Sequence, residues 1–156
     1  MTKGTGSTWT LGSAHIVFDG NTTVGHAYSS IALDSANRLW IATRYFDGTN
    51  YRIALKTADT LTPTSSSDWT LSSATFVTPT TNNNFNIPKF LHFGSNLALF
   101  YNNEGNGGQI SWRTRADSDA VDSWSSEAEL TNLNISSNSA FSVAVDANDL
   151  LHLLYN

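Results

Sequence analysis

The residues of this chain that could bind or transform a polar ligand are His26, Tyr28, Arg44, Tyr45, Asn86, Lys89, Tyr101, Asn102, Glu104 and Asn138. They combine amides, an imidazole, two cations, a carboxylate and three phenols. Amides and guanidinium groups are planar partners for sugar hydroxyls, and tyrosine rings offer apolar faces for stacking. Glu104, in the loop Glu104-Gly105-Asn106-Gly107-Gly108, could serve as a catalytic carboxylate. Glycoside cleavage would need a second one roughly 5–9 Å away, and no spacing in the sequence places it. His92 and His152 lie inside apolar stretches, which suits packing or hydrogen bonding better than ligation. No His, Asp or Glu spacing supports a metal site, and the absence of cysteine excludes disulfides and thiolate sites. No cofactor is implied. Asn-rich stretches such as Asn82-Asn83-Asn84 also read simply as solvated turns.

The elements that must position these residues are set by an internal repeat. Trp9-Thr10-Leu11, Trp69-Thr70-Leu71 and Trp124-Ser125-Ser126 open similar segments, 60 and 55 residues apart. A second landmark recurs as Leu39-Trp40-Ile41-Ala42-Thr43-Arg44, Leu97-Ala98-Leu99-Phe100-Tyr101-Asn102 and Leu151-His152-Leu153-Leu154-Tyr155-Asn156. A third is Ile31-Ala32-Leu33-Asp34, which returns as Val143-Ala144-Val145-Asp146. The stretch Leu39–Asp59 matches Leu97–Asp117 without a gap.

Each period holds four candidate strands. In the first they are Ser30–Asp34, Arg38–Tyr45, Tyr51–Thr57 and Trp69–Val77. In the second they are Phe90–Phe93, Leu97–Asn102, Gln109–Arg115 and Trp124–Leu130. Alternation at Ile53/Leu55 and Ile110/Trp112 is the period-two pattern of a pleated strand. Asp47-Gly48 and Gly107-Gly108 supply the backbone freedom that hairpins require. Four antiparallel strands every ~55 residues describe a β-propeller blade. The expected fold is therefore all-β, an incomplete propeller of four-stranded antiparallel blades.

With strands lettered A to D outward from the axis, the chain reads D-ABCD-ABCD-AB. Residues 1–26 hold the outer strand of a shared blade, with Trp9–Phe18 as D. Residues 27–77 and 78–130 are whole blades, and 131–156 hold the inner strands of a shared blade. Only Thr2–Thr8 could partly replace the C strand missing from that shared blade. The strand Leu151–Asn156 would otherwise be an unpaired apolar edge, which proteins avoid. A homodimer closing a six-bladed ring is the simplest completion, and a fragment of a longer propeller is the alternative.

Charged residues make up 13% of the chain and the net charge is −5, without a basic cluster, which opposes nucleic-acid binding. Met1–Gly6 contains no apolar signal core, and no stretch approaches the ~20 apolar residues of a membrane span. A virion or extracellular surface location, reached for instance by lysis, is consistent with this.

Taken together, Ser29–Ala42 and Phe141–His152 resemble the inner hairpins of sialidase-like (neuraminidase, BNR-repeat) propellers, where an Asp-rich turn precedes an apolar strand. The likeness covers nearly the whole chain at the level of blade pattern. The family's Asp-box, Ser-x-Asp-x-Gly-x-x-Trp, is degenerate here. Asp119 stands five residues before Trp124, but Asp117 takes the Ser position and Val121 the Gly position. The family's catalysis implies three arginines, a Tyr–Glu pair and an Asp, with the first arginine in Arg-Ile-Pro. This chain has Asn86-Ile87-Pro88, and an amide cannot replace a bidentate cation. Sialidase catalysis is therefore not expected. Non-enzymatic glycan recognition is the leading expectation. A glycosidase or polysaccharide lyase with its site in the assembled ring, and a structural or engineered propeller fragment without ligand, are the alternatives.

Overall fold

The computed structural model describes residues 2–3, 9–10, 14, 16–19, 25–72, 86–103, 109–130 and 141–155. These form antiparallel sheets whose strands pair with their neighbours in sequence. The first sheet runs β3 (Gly25–Leu33), β4 (Leu39–Phe46), β5 (Tyr51–Ala58) and β6 (Thr70–Leu71). The second runs β7 (Pro88–Phe93), β8 (Asn96–Asn103), β9 (Gln109–Ala116) and β10 (Ala128–Leu130). Two hairpins flank them in sequence: β1 (Thr2–Lys3) with β2 (Trp9–Thr10), and β11 (Phe141–Val145) with β12 (Leu151–Tyr155). Among the described residues, no sheet closes on itself. Among the described residues, no helix is long and apolar enough to cross a membrane.

The expected A, B and C strands are present, each within a few residues of its sequence limits. The outer strands are shorter. Of Trp69–Val77, Thr70–Leu71 is strand, and 73–77 fall outside the described residues. Of Trp124–Leu130, only Ala128–Leu130 is strand. Ahead of it the hydroxyl of Ser125 accepts from the Thr114 amide, while the Ser125 amide donates to the Thr114 carbonyl. One side chain thus stands in for part of the ladder. Of the expected Trp9–Phe18 strand, Trp9–Thr10 is strand, 16–18 are not, and 11–13 and 15 lie outside the described residues; Thr2–Lys3 pairs with Trp9–Thr10.

Turn chemistry fixes these registers. In Asp34-Ser35-Ala36-Asn37 the Asp34 carboxylate accepts from the backbone amides of Ala36 and Arg38, and Asn37 adopts a left-handed φ of 61°. The same turn recurs at Asp146–Asp149, with bonds from Asn148 and Leu150 and a φ of 59° at Asp149. Asn and Asp carry this conformation and its hydrogen bonds better than other side chains do. Gly48, at φ 97°, turns β4 into β5.

Apolar residues on the two faces of the second sheet bury it as a middle layer. On one side Leu99 and Tyr101 meet Ala42, Ile53 and Leu55 of the first sheet, with Phe90 and Trp124 at the margin. On the other, Ala98, Phe100 and Ile110 meet Phe141, Val143 and Leu153. This explains the unbroken run Leu97-Ala98-Leu99-Phe100-Tyr101, since a strand buried on both faces has no polar side to present.

A polar network ties the first two layers. Asp34, fully buried, accepts from Arg38 Nε at 3.0 Å and Trp40 Nε1 at 2.9 Å, and Arg115 Nη1 lies 3.6 Å away. The Arg115 guanidinium also lies over the Trp40 ring, 4.7 Å from its centroid. Across the junction, the Ser35 amide and hydroxyl donate to the Asp117 carboxylate, and His92 Nε2 lies 2.8 Å from it. Burial alone would raise the Asp117 pKa, but the bonds from Ser35 and His92 outweigh it and hold the carboxyl below its ordinary 3.8. A carboxyl depressed in the folded state stabilises above its unfolded pKa, and that stability is lost as pH falls through the lower folded value. In urea titrations the midpoint should therefore drop more steeply below about pH 4 for the natural chain than for Asp117→Asn. Parallel curves would exclude this role for Asp117.

Candidate functional site

Arg44 and Tyr45 are adjacent on β4 and therefore point to opposite faces of the first sheet. This divides the candidate residues into two groups. On the face toward the second sheet, the Arg44 guanidinium lies between two rings, 4.4 Å from the Tyr28 centroid and 4.8 Å from that of Tyr51. Tyr28 reaches this position through a bulge. The β3–β4 register slips between Ala27 and Ser30, and Tyr28 takes a φ of 56° while the residue stays 56% exposed. A left-handed tyrosine carries strain, and bulges re-aim side chains in this way.

On the opposite face, His26 and Tyr45 are strand partners with stacked rings 5.1 Å apart, and Phe18 packs on the imidazole at 4.8 Å. These rings line a groove of about 480 Å³ whose charged walls are Asp19, Arg52 and Lys56. Arg52 is paired with Asp47 at 2.7 Å, and Lys56 Nζ donates to the Val17 carbonyl. Burial, then the charge of Lys56, lowers the His26 pKa below its usual 6.5, which favours the uncharged ring. Its Nδ1 is buried without a hydrogen-bond partner. The groove thus offers aromatic rings beside the charged side chains of Asp19, Arg52 and Lys56, at a volume that ligand sites commonly have.

The remaining candidates lie elsewhere. Asn86 and Asn102 are fully buried and serve the backbone. The Asn86 side chain donates to the Tyr51 carbonyl, its amide donates to the Asn102 carbonyl, and the Ile87 amide donates to Asn102 Oδ1. Tyr101 is also buried, and its hydroxyl donates to Glu127 at 2.6 Å. Burial and this bond raise the phenol pKa well above its ordinary range. Lys89 alternates with Leu91 on the face of the second sheet turned toward β11–β12, away from Arg44. Glu104 and Asn138 lie outside the described residues. His92 and His152 each hydrogen-bond a carboxylate, Asp117 and Asp146 respectively. Among the described residues, no three His, Asp or Glu side chains gather as a metal site.

Phe18, Arg52 and Lys56 were not among the candidates read from the sequence. The signal for the last two was present, because Ile53 and Leu55 define one face of β5 and the alternate positions 52, 54 and 56 must line the other. Glu127 was likewise not singled out, although it lies within the segment that Trp124 opens.

No protein-family model matches this chain, and neither does any curated protein.

Proposed function

We propose that this protein recognises glycans without transforming them. In this reading it is part of a sialidase-like, six-bladed β-propeller in which the two four-stranded sheets are whole blades. Hairpin β11–β12 would be the inner half of a shared blade and β1–β2 the outer half. The regular strand period and the apolar stacking of successive layers support the propeller. The observation that carries recognition is the groove, where the Phe18 and Tyr45 rings flank the His26 imidazole beside the charged groups of Asp19, Arg52 and Lys56. Aromatic rings suit the C–H faces of a sugar, and the charged groups beside them suit its hydroxyls.

Two features weigh against sialidase chemistry. Asn86 stands where that family carries an arginine, and it is buried with its amide committed to Tyr51. Tyr101 is buried and bonded to the half-buried Glu127, and its phenol holds its proton more tightly than a free one, the reverse of what a nucleophile needs.

The test is a glycan array followed by titration of the best binder. Tyr45→Ala should weaken its Kd about tenfold, the worth of one ring contact. An unchanged Kd would overturn the assignment to the groove. Release of reducing sugar would favour a glycosidase, and a silent array would favour a purely structural role.

A further inference from the structure

Successive layers of this protein meet through one recurring kind of contact. The positions Trp40 and Ala42 on β4, Ala98 and Phe100 on β8, and His152 and Leu154 on β12 are equivalent in the repeat. So are Ile31, Phe90 and Val143, each paired with the residue at the Ile41, Leu99 or Leu153 position of its own sheet. At the first junction Ala42 meets Phe90 and Leu99. At the second, Ala98 and Phe100 meet Val143 and Leu153. The Ala42-type face of one layer always receives the Ile31-type face of the next.

One face of each type is left uncovered. On the first sheet Ile31 is 62% exposed and Leu33 43%. On the β11–β12 hairpin Leu154 is 75% exposed, and Ser142, Ala144 and His152 beside it are exposed too. The polar hook of the first junction also has its counterparts. The Asp146 turn carries the bonds of the Asp34 turn, and His152 reaches Asp146 at 3.1 Å as Trp40 reaches Asp34 at 2.9 Å. Asp117, which the Asp34 turn grips, corresponds in the repeat to the exposed Asp59.

We infer that a second copy of this chain covers these faces head to tail. The second copy's Leu154 and Ala144 would sit on Ile31 and Leu33, its Asp146 turn would donate a backbone amide to Asp59, and each copy would do the same for the other. The edges agree with this docking. β1 pairs with β2 as Thr2↔Thr10, the counterpart of Thr57↔Thr70 in the first sheet, and Thr57 pairs with Trp40 on its other side. The free edge of β12 is thus expected to meet β1 with the second copy's His152 opposite Thr2. The choice of a second copy rests on continuity, because the contact repeats two junctions already present in the chain and both halves of it lie on one molecule.

This inference deepens the six-bladed reading, and it puts the second copy on the same face of the first sheet as the groove. Glycan binding by a monomer would leave the groove standing and overturn only the pairing. The experiment is sedimentation equilibrium of the full 156-residue chain over a range of concentrations. The natural chain should show twice the monomer mass, and Leu154→Glu or Ile31→Glu alone should weaken association at least a hundredfold. Mixing those two variants should recover a dimer, since one of its two contacts then pairs an intact Leu154 with an intact Ile31. Both positions are exposed, and near-ultraviolet circular dichroism checks the fold, with Leu154→Ser and Ile31→Ser as milder replacements. A monomeric natural chain, association insensitive to both substitutions, or no recovery on mixing would each overturn the proposal.

Discussion

Replacing Asp34 with alanine is expected to destabilise the protein by about 4 kcal/mol, within the range for removing one partner of a buried charge cluster. Asp34 is 2% exposed and satisfies four donors, the amides of Ala36 and Arg38, the Arg38 Nε and the Trp40 indole nitrogen. Its loss also leaves the Arg115 guanidinium, fully buried against Trp40, without its nearest carboxylate. Each stranded buried donor costs about 1–3 kcal/mol, and relaxation of the turn toward water recovers part of the sum. Asp34→Asn keeps an acceptor for the turn while removing the charge, so its loss should be about half as large. Urea denaturation of the three proteins measures this directly, and a loss below about 1 kcal/mol for alanine would show that the turn is held by other contacts.

Phe100→Ala should cost about 3–5 kcal/mol, the usual penalty for deleting a buried phenyl ring. Phe100 is 1% exposed, stacks on Trp112 at 5.6 Å with the planes 5° apart, and belongs to the cluster that holds Phe141, Val143 and Leu153. The contact between the first two sheets rests on the opposite face of β8, so the damage should be local. Hydrogen exchange should show the β11–β12 amides losing protection while those of β4 and β5 keep most of theirs. Uniform loss of protection across the molecule would mean that the layers unfold as one unit.

The contrast between those two faces also explains what the sequence could reveal. Inner strands were legible because apolar landmarks recur at fixed spacing and Asp-led turns bracket them. The outer strands were less so. Trp124 resembles Trp69 and Trp9 by position, yet its ring packs edge-on against Trp40 while Ser125 replaces part of the ladder. The candidate site was legible only in part, because the repeat equates backbone positions and not side-chain environments. Arg44 and Asn102 occupy equivalent places, but one is held between tyrosine rings and the other is buried supporting the start of β7. Neighbours such as Arg44 and Tyr45 looked like one ring of ligand contacts and are separated by the thickness of a sheet. Phe18 was expected at the end of the opening strand, but it lies outside any strand and lines the groove instead.

The meander topology carries a kinetic consequence. Within each sheet every strand hydrogen-bonds to its neighbour in sequence, so each sheet can form from short loop closures without waiting for distant chain. The Asp34 and Asp146 turns, which organise their own hairpins, are natural starting points. The slow step should then be the docking of finished sheets, typified by the bond from Ser35 to Asp117 across 82 residues. During synthesis the first sheet would wait, already hydrogen-bonded but with its Trp40–Ala42 face uncovered, until β9 and the turn after it emerged. That interval is when the nascent chain is most exposed to wrong partners, and it ends only when Asp117 arrives.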